Sequence, residues 1–161
     1  MNRRSFLLSF GTLFLTVFET RKIALSAPQE IKKVTKKDSE WKKDLTPEQY
    51  DVLREEGTEA PFSSPLNTEK RAGTFICAGC GLALFTSDAK FDSGTGWPSF
   101  FEAIPEHVET KTDYKLILPR REYHCARCGG HQGHVFNDGP NPTGLRYCNN
   151  GVALKFVPGN E

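Results

Sequence analysis

The pattern Cys-x-x-Cys-Gly occurs twice, at Cys77–Gly81 and at Cys125–Gly129, and nothing else in the chain restricts its fold so tightly. In each copy two thiols project from one tight turn, and the following glycine permits the backbone geometry that the turn requires. Two such turns brought together make a tetrahedral four-sulfur site, which suits Zn²⁺. Cys77, Cys80, Cys125 and Cys128 are therefore the expected ligands of one zinc ion. Four thiolates leave no open position for water, so the ion is expected to be structural. The two pairs lie further apart than the roughly 15–20 residues of a typical zinc ribbon, and the intervening chain must form a loop of its own. Two disulfides, or a redox-active Cys-x-x-Cys, are the competing readings for an exported chain.

A fifth cysteine, Cys148, belongs to neither pair and sits in Gly144–Ala153, which reads as a strand. Residues at i, i+2 and i+4 of a strand share a face, so Arg146, Cys148 and Asn150 are expected in a row. An ordinary cysteine thiol has a pKa of about 8.5, and the charge of Arg146 should raise the fraction of nucleophilic thiolate. The competing reading is a buried, inert cysteine. His131 and His134, in Gly130–Phe136, can move protons near neutral pH. Their spacing could also suit a metal, but four cysteines already satisfy one ion and no carboxylate cluster points to a second. A packed or exposed histidine pair is the plainer alternative. His107 and His124 lack such context and read as structural or surface residues. Trp97 lies in Asp92–Phe101, where two glycines and a proline make a shaped loop that holds the ring rather than a regular element.

The 161 residues suit one domain with extensions. Residues 1–27 read as an export signal of twin-arginine type. Asn2-Arg3-Arg4 leads into an apolar run from Phe6 to Phe18, shorter than the roughly 20 residues of a membrane span, and Ser26-Ala27 suits cleavage. Periplasmic localisation is the expectation, with an uncleaved membrane anchor as the alternative. Arg3, Arg4, Arg21 and Lys22 against Glu19 give this segment a surplus of three charges, so a chain of net charge +1 leaves a slightly acidic remainder. That balance argues against a nucleic-acid partner.

Residues 28–39 read as linker, with lysine-rich, weakly apolar character continuing to Asp44, and residues 40–158 as the domain. A helix should start at Thr46, with Pro47 at its first position, Gln49 completing a capping box and Leu45 and Tyr50 as a staple, and should stop at Gly57. Strands are expected at Gly73–Cys77, Leu82–Phe85, Val108–Thr112, Lys115–Leu118, Glu122–Cys125, His134–Phe136, Arg146–Cys148 and Val152–Phe156. The expected fold class is mostly β: two small antiparallel sheets around a core, one short N-terminal helix and the four-cysteine site.

Five ordered motifs carry a family resemblance: Cys77-x-x-Cys80, Ser93-Gly-x-Gly-Trp-Pro-Ser-Phe100, Cys125-x-x-Cys128-Gly-Gly-His-x-Gly-His134, Asp138-Gly-Pro140 and Arg146-Tyr-Cys-x-Asn150. Together with Leu45–Gly57 they resemble methionine sulfoxide reductase B over about residues 40–157. The resemblance implies a repair enzyme acting on proteins that carry methionine-R-sulfoxide, and a monomer is the expectation. It makes Cys148 the nucleophile, His131, His134 and Asn150 the polar groups around the sulfoxide oxygen, Trp97 the ring against the S-methyl group and Arg146 the support of the thiolate. Thr95 stands where many members place a second, resolving cysteine. An external thiol or thioredoxin-like protein would then reduce the sulfenic acid on Cys148. A non-catalytic, zinc-ribbon-like peptide-binding module is the alternative from a different class.

Overall fold

The computed structural model describes residues 30–114 and 118–159. The expected export signal and most of the expected strand at Lys115–Leu118 lie outside the described residues. Among the described residues no helix is long and apolar enough to cross a membrane.

Two helices open the fold, where the sequence suggested one. Helix α1 spans Asp38–Asp44, with Asp38 and Glu40 in its first turn and Lys42 and Lys43 in its last, each favourable for the helix dipole. Its anchor is Trp41, only 1 % exposed, flanked by Lys36 and Arg54 over its ring. One large apolar residue in a lysine-rich stretch has no periodicity, so the helix was not legible. Ahead of it, in the stretch expected to be linker, Ile31 and Val34 pack on the core and the Val34 amide donates to the Arg127 carbonyl (2.7 Å).

Helix α2, Pro47–Glu55, follows its sequence signals. The Gln49 amide donates to Thr46 Oγ1 and the Thr46 amide to Gln49 Oε1, both at 3.2 Å. Its end differs in one respect: the left-handed residue is Glu56 (φ 58°), and the Gly57 amide closes the helix on the Asp51 carbonyl. A Cβ at Gly57 would stand 2.0 Å from the carboxylate of Asp51, an exposed side chain that can swing aside.

Two antiparallel sheets follow. Strands β1 (Gly73–Cys77), β2 (Ala83–Thr86) and β9 (Leu154–Pro158) form one, in the order β2-β1-β9. The other contains β3 (Lys90–Phe91), β4 (Ser99–Phe100), β5 (Val108–Asp113), β6 (Arg120–Cys125), β7 (His131–Phe136) and β8 (Arg146–Asn149), in the order β3-β4-β8-β7-β6-β5. The second is six-stranded, larger than expected.

The sheets meet through an aromatic core. Phe85 stacks on Phe100 at 4.1 Å, Phe75 meets Phe100 edge-on at 4.9 Å, and Tyr123 meets Tyr147 at 5.2 Å. Each fully buried ring contributes about 1.5–3 kcal/mol of hydrophobic stabilisation. Because side chains alternate along a strand, turning Tyr123, Val135, Tyr147 and Phe100 to the core turns their neighbours to the other face. That other face carries the polar residues described next.

Candidate active site and metal centre

The two Cys-x-x-Cys turns are the tips of two hairpins, β1–β2 and β6–β7. The same hydrogen bonds recur in both: the Gly81 and Gly129 amides donate to the Cys77 and Cys125 carbonyls, each at 2.9 Å. Both glycines are left-handed (φ 73° and 67°), with open space where a Cβ would be, so backbone conformation is what selects glycine there. The four sulfurs lie within 4.8 Å of one another, with Cys77–Cys128 at 3.7 Å and Cys80–Cys125 at 3.5 Å. Four converging thiols, none of them in a disulfide, can hold one metal ion.

A second grouping lies on the polar face of the large sheet. Strand register aligns Lys111, Glu122, His134, Cys148 and Ser99 across five neighbouring strands. Cys148 opens into a cleft of about 180 Å³ whose walls include Trp97, His134, Asn149, Asn150, Phe136 and Arg120. Trp97 is held by its indole N–H, which donates to the Glu59 carbonyl at 3.2 Å.

Three residues apart on a regular strand, His131 and His134 would face opposite ways. A bulge in the β6–β7 pairing corrects this: His134 pairs with Glu122, Gly133 with Tyr123 and His131 with His124. The two imidazoles come to 5.5 Å. Gly133 is required at the bulge because a Cβ would stand 1.9 Å from the Cys148 carbonyl oxygen.

Each histidine has its own carboxylate. His134 Nε2 lies 2.9 Å from Asp113 Oδ2, which also accepts from Arg120 (2.6 Å). If Nε2 carries the proton, Nδ1 is the accepting nitrogen. His131 Nδ1 lies 2.9 Å from Glu122 Oε1, and Glu122 also pairs with Lys111 (3.1 Å). His131 is 3 % exposed. Burial holds its pKa below the ordinary histidine value, against the raising effect of Glu122. Its Nε2 is buried without a partner. His131 contacts the His134 ring and is not among the residues lining the cleft.

The surroundings of Cys148 differ from the sequence expectation. Burial pushes its thiol above the ordinary cysteine range, and this outweighs the lowering effects of Arg146 and of the Thr95 hydroxyl. Arg146 is committed elsewhere: its Nε and Nη2 each donate to Asp138 at 2.9 Å, and its guanidinium lies 4.4 Å over the Phe136 ring. Asp138 itself raises the thiol pKa further. Arg146 shares the face of Cys148, as the alternation predicts, but its guanidinium is already paired with Asp138.

Asn150 follows the last residue of the strand in an extended conformation and lines the same cleft as Cys148. The strand ends at Asn149, and Asn150 begins a 3-10 turn over Gly151–Ala153. Its Oδ1 accepts from the Glu59 amide (3.1 Å) and its Nδ2 donates to the Gln132 carbonyl (3.0 Å), so it braces the cleft wall. His107 and His124 stand outside this grouping, on the Ala83 carbonyl and on Glu109.

Asp113, Arg120, Glu122, Asn149 and Glu59 escaped sequence reasoning. Only the β5–β6 hairpin brings the first three to the histidines, and only the sheet register places Asn149 at the cleft.

Residues 45–158 match the SelR domain family. A peptide methionine sulfoxide reductase MsrB of Bradyrhizobium diazoefficiens is 56 % identical over 127 residues, 78 % of this chain and 91 % of that protein. The same-named protein of Leptospira interrogans is 53 % identical over 76 % of this chain and 95 % of its own length. The chloroplastic peptide methionine sulfoxide reductase B1 of Arabidopsis thaliana is 52 % identical over 74 % of this chain and 59 % of its own length.

Proposed function

The chain belongs to the SelR-domain, MsrB family of peptide methionine sulfoxide reductases, and from that premise we propose that it reduces methionine-R-sulfoxide in proteins through Cys148. The observation that carries this reading is the cleft itself: the one cysteine outside the metal cluster faces a carboxylate-held imidazole and an aromatic wall.

The Cys148 sulfur attacks the sulfoxide sulfur while the sulfoxide oxygen gains a proton. The oxygen passes to Cys148 as a sulfenic acid and methionine leaves. One thiol is oxidised by two electrons and one sulfoxide reduced by two. His134 is the proton-handling group, because it lines the cleft and Asp113 fixes its ring. Trp97 offers a flat apolar wall to the S-methyl group. His131 acts as a packed, charge-poor support for His134. A thiol that stays mostly neutral until substrate arrives matches a reaction needing both a nucleophile and a proton.

Thr95 hydrogen-bonds Ser93 (2.8 Å) and lies beside Cys148, but a hydroxyl cannot attack a sulfenic acid. The remaining four cysteines are in the metal cluster. Two electrons from an external thiol or thioredoxin-like dithiol therefore return Cys148 to the thiol and release water.

The cluster suits zinc. A tetrahedron with Zn–S bonds of about 2.3 Å has sulfur–sulfur edges of about 3.8 Å, close to the 3.5 and 3.7 Å found. When bound, the ion would fasten the two hairpin tips together. Residues 1–27 support export to the periplasm by a twin-arginine route, which would carry the domain already folded.

Purified protein with a dithiol should consume R-sulfoxide and leave the S epimer. Replacing Cys148 with Ser should lower turnover by more than about a thousandfold. Equal consumption of both epimers, or an active Cys148→Ser protein, would sink the proposal.

A further inference from the structure

The cleft at Cys148 has the space of about six waters, enough for one side chain and not for the polypeptide that carries it. The chain on either side of a sulfoxide must leave the cleft mouth and lie on the surface. Beside that mouth runs a larger groove of about 890 Å³, between α2, the loop around Thr58–Leu66 and the turn after β8. Thr58 lines both spaces. Apart from Glu59, whose carbonyl holds Trp97, the residues of the groove take no part in the chemistry at Cys148.

Its chemistry is one-sided. Val52 and Leu154 lie buried at its base, and Leu66 and Val152 are half-buried on its sides. Glu48 and Asp51 stand exposed on its rim, and among the described residues no lysine or arginine lines it.

The wall between groove and cleft is fixed by one residue. The Glu59 amide donates to Asn150 Oδ1, and its carbonyl accepts from the Trp97 indole, both on the cleft side. Its carboxylate accepts from the Gly151 amide (2.5 Å) and the Val152 amide (3.0 Å), on the groove side. Every polar group of Glu59 is thereby tied to one space or the other, so the groove keeps a set position relative to Cys148.

We propose that this groove docks the stretch of substrate polypeptide adjoining the methionine sulfoxide. It takes an apolar side chain a few residues from the sulfoxide and favours neutral or basic neighbours over acidic ones. Continuity with the cleft puts the flanking chain there. The apolar base selects the side chain, and the two exposed rim carboxylates select against acid. This inference rests on the reductase reading and names what that enzyme recognises beyond the sulfoxide.

The test compares kcat/KM for free methionine-R-sulfoxide with that for two peptides carrying a central sulfoxide, one flanked by Leu and Lys and one by Glu. The Leu/Lys peptide should exceed both the free amino acid and the Glu peptide by about tenfold or more. Leu66→Asp, and independently Ser63→Trp at an exposed position of the groove, should lower turnover of the Leu/Lys peptide about tenfold. Turnover of free sulfoxide should stay unchanged, which also shows that the variants are folded. Should Leu66→Asp fail to fold, Ser63→Trp carries the test. If both variants leave peptide turnover intact, or if peptide and free sulfoxide fall in parallel, the groove has another occupant and the proposal is overturned. Absence of turnover on every substrate by the unaltered protein would instead remove the reductase reading, and this inference with it.

Discussion

The four-cysteine centre and the Cys148 cleft are both built on thiols, yet they are assembled in opposite ways. The centre comes from one turn used twice, each copy closed by its own local hydrogen bonds and a left-handed glycine. The cleft takes Trp97 from one loop, Asp113 and Arg120 from a hairpin, His134 from β7 and Cys148 from β8, and contains no repeated local motif. In the centre the thiols crowd one another until a cation is the natural occupant. In the cleft a single thiol is kept neutral by burial, beside a histidine whose partner is a carboxylate. A local design gives stability, and a distributed one gives a site whose geometry depends on sheet register.

Breaking the centre should have the largest effect on the fold. Cys125→Ser should lose about one equivalent of bound metal and more than about 4 kcal/mol of stability. Metal analysis with thermal unfolding would check it. A variant that keeps its melting temperature without metal would show that the hairpin tips hold themselves together.

Breaking the register should hurt the cleft more than the centre. Gly133→Ala drives a Cβ to 1.9 Å from the Cys148 carbonyl oxygen, so β7 and β8 must part by about an ångström or more. We expect a stability loss of about 1–3 kcal/mol, with turnover falling further than the stability loss explains while metal content is unchanged. Denaturant titration alongside kinetics separates the two. Equal activity per folded molecule would mean that the bulge is not needed to align His134 with Cys148.

The smallest effect concerns charge. Because burial raises the Cys148 pKa, its alkylation should accelerate as pH rises, with a midpoint above the roughly 8.5 of an ordinary thiol. Arg146 lowers that pKa in part, so Arg146→Met should move the midpoint higher and slow alkylation at pH 7.5 by about two- to tenfold. A midpoint below 8.5 in the unaltered protein would show a cleft that favours the thiolate before substrate binds.

Legibility followed the same divide. Helix α2 could be read because its capping box involves residues three apart, and the cysteine turns because all their bonds close within five residues. Helix α1 could not, since Trp41 owes its place to packing near the first turn rather than to any pattern. Arg146 and Cys148 were read onto one face correctly from alternation. Asn150 reaches the same cleft, but its bonds to Glu59 and Gln132 join distant parts of the chain and were not legible. His131 and His134 were singled out together for their proton chemistry, whereas simple alternation would have separated them.

By itself the sequence determined the two Cys-x-x-Cys turns, the mostly β character, the isolation of Cys148 and the presence of Thr95, not a cysteine, in the Trp97 loop. These rest on residue identity and short-range geometry, which the chain carries wherever it folds. Only the tertiary structure decided which carboxylate serves which histidine, that Arg146 is shared with Asp138, that burial outweighs Arg146 at the thiol, and that Glu59 joins the cleft to the groove. Those outcomes depend on strand register and on exclusion of water, both set by contacts between residues far apart in the chain.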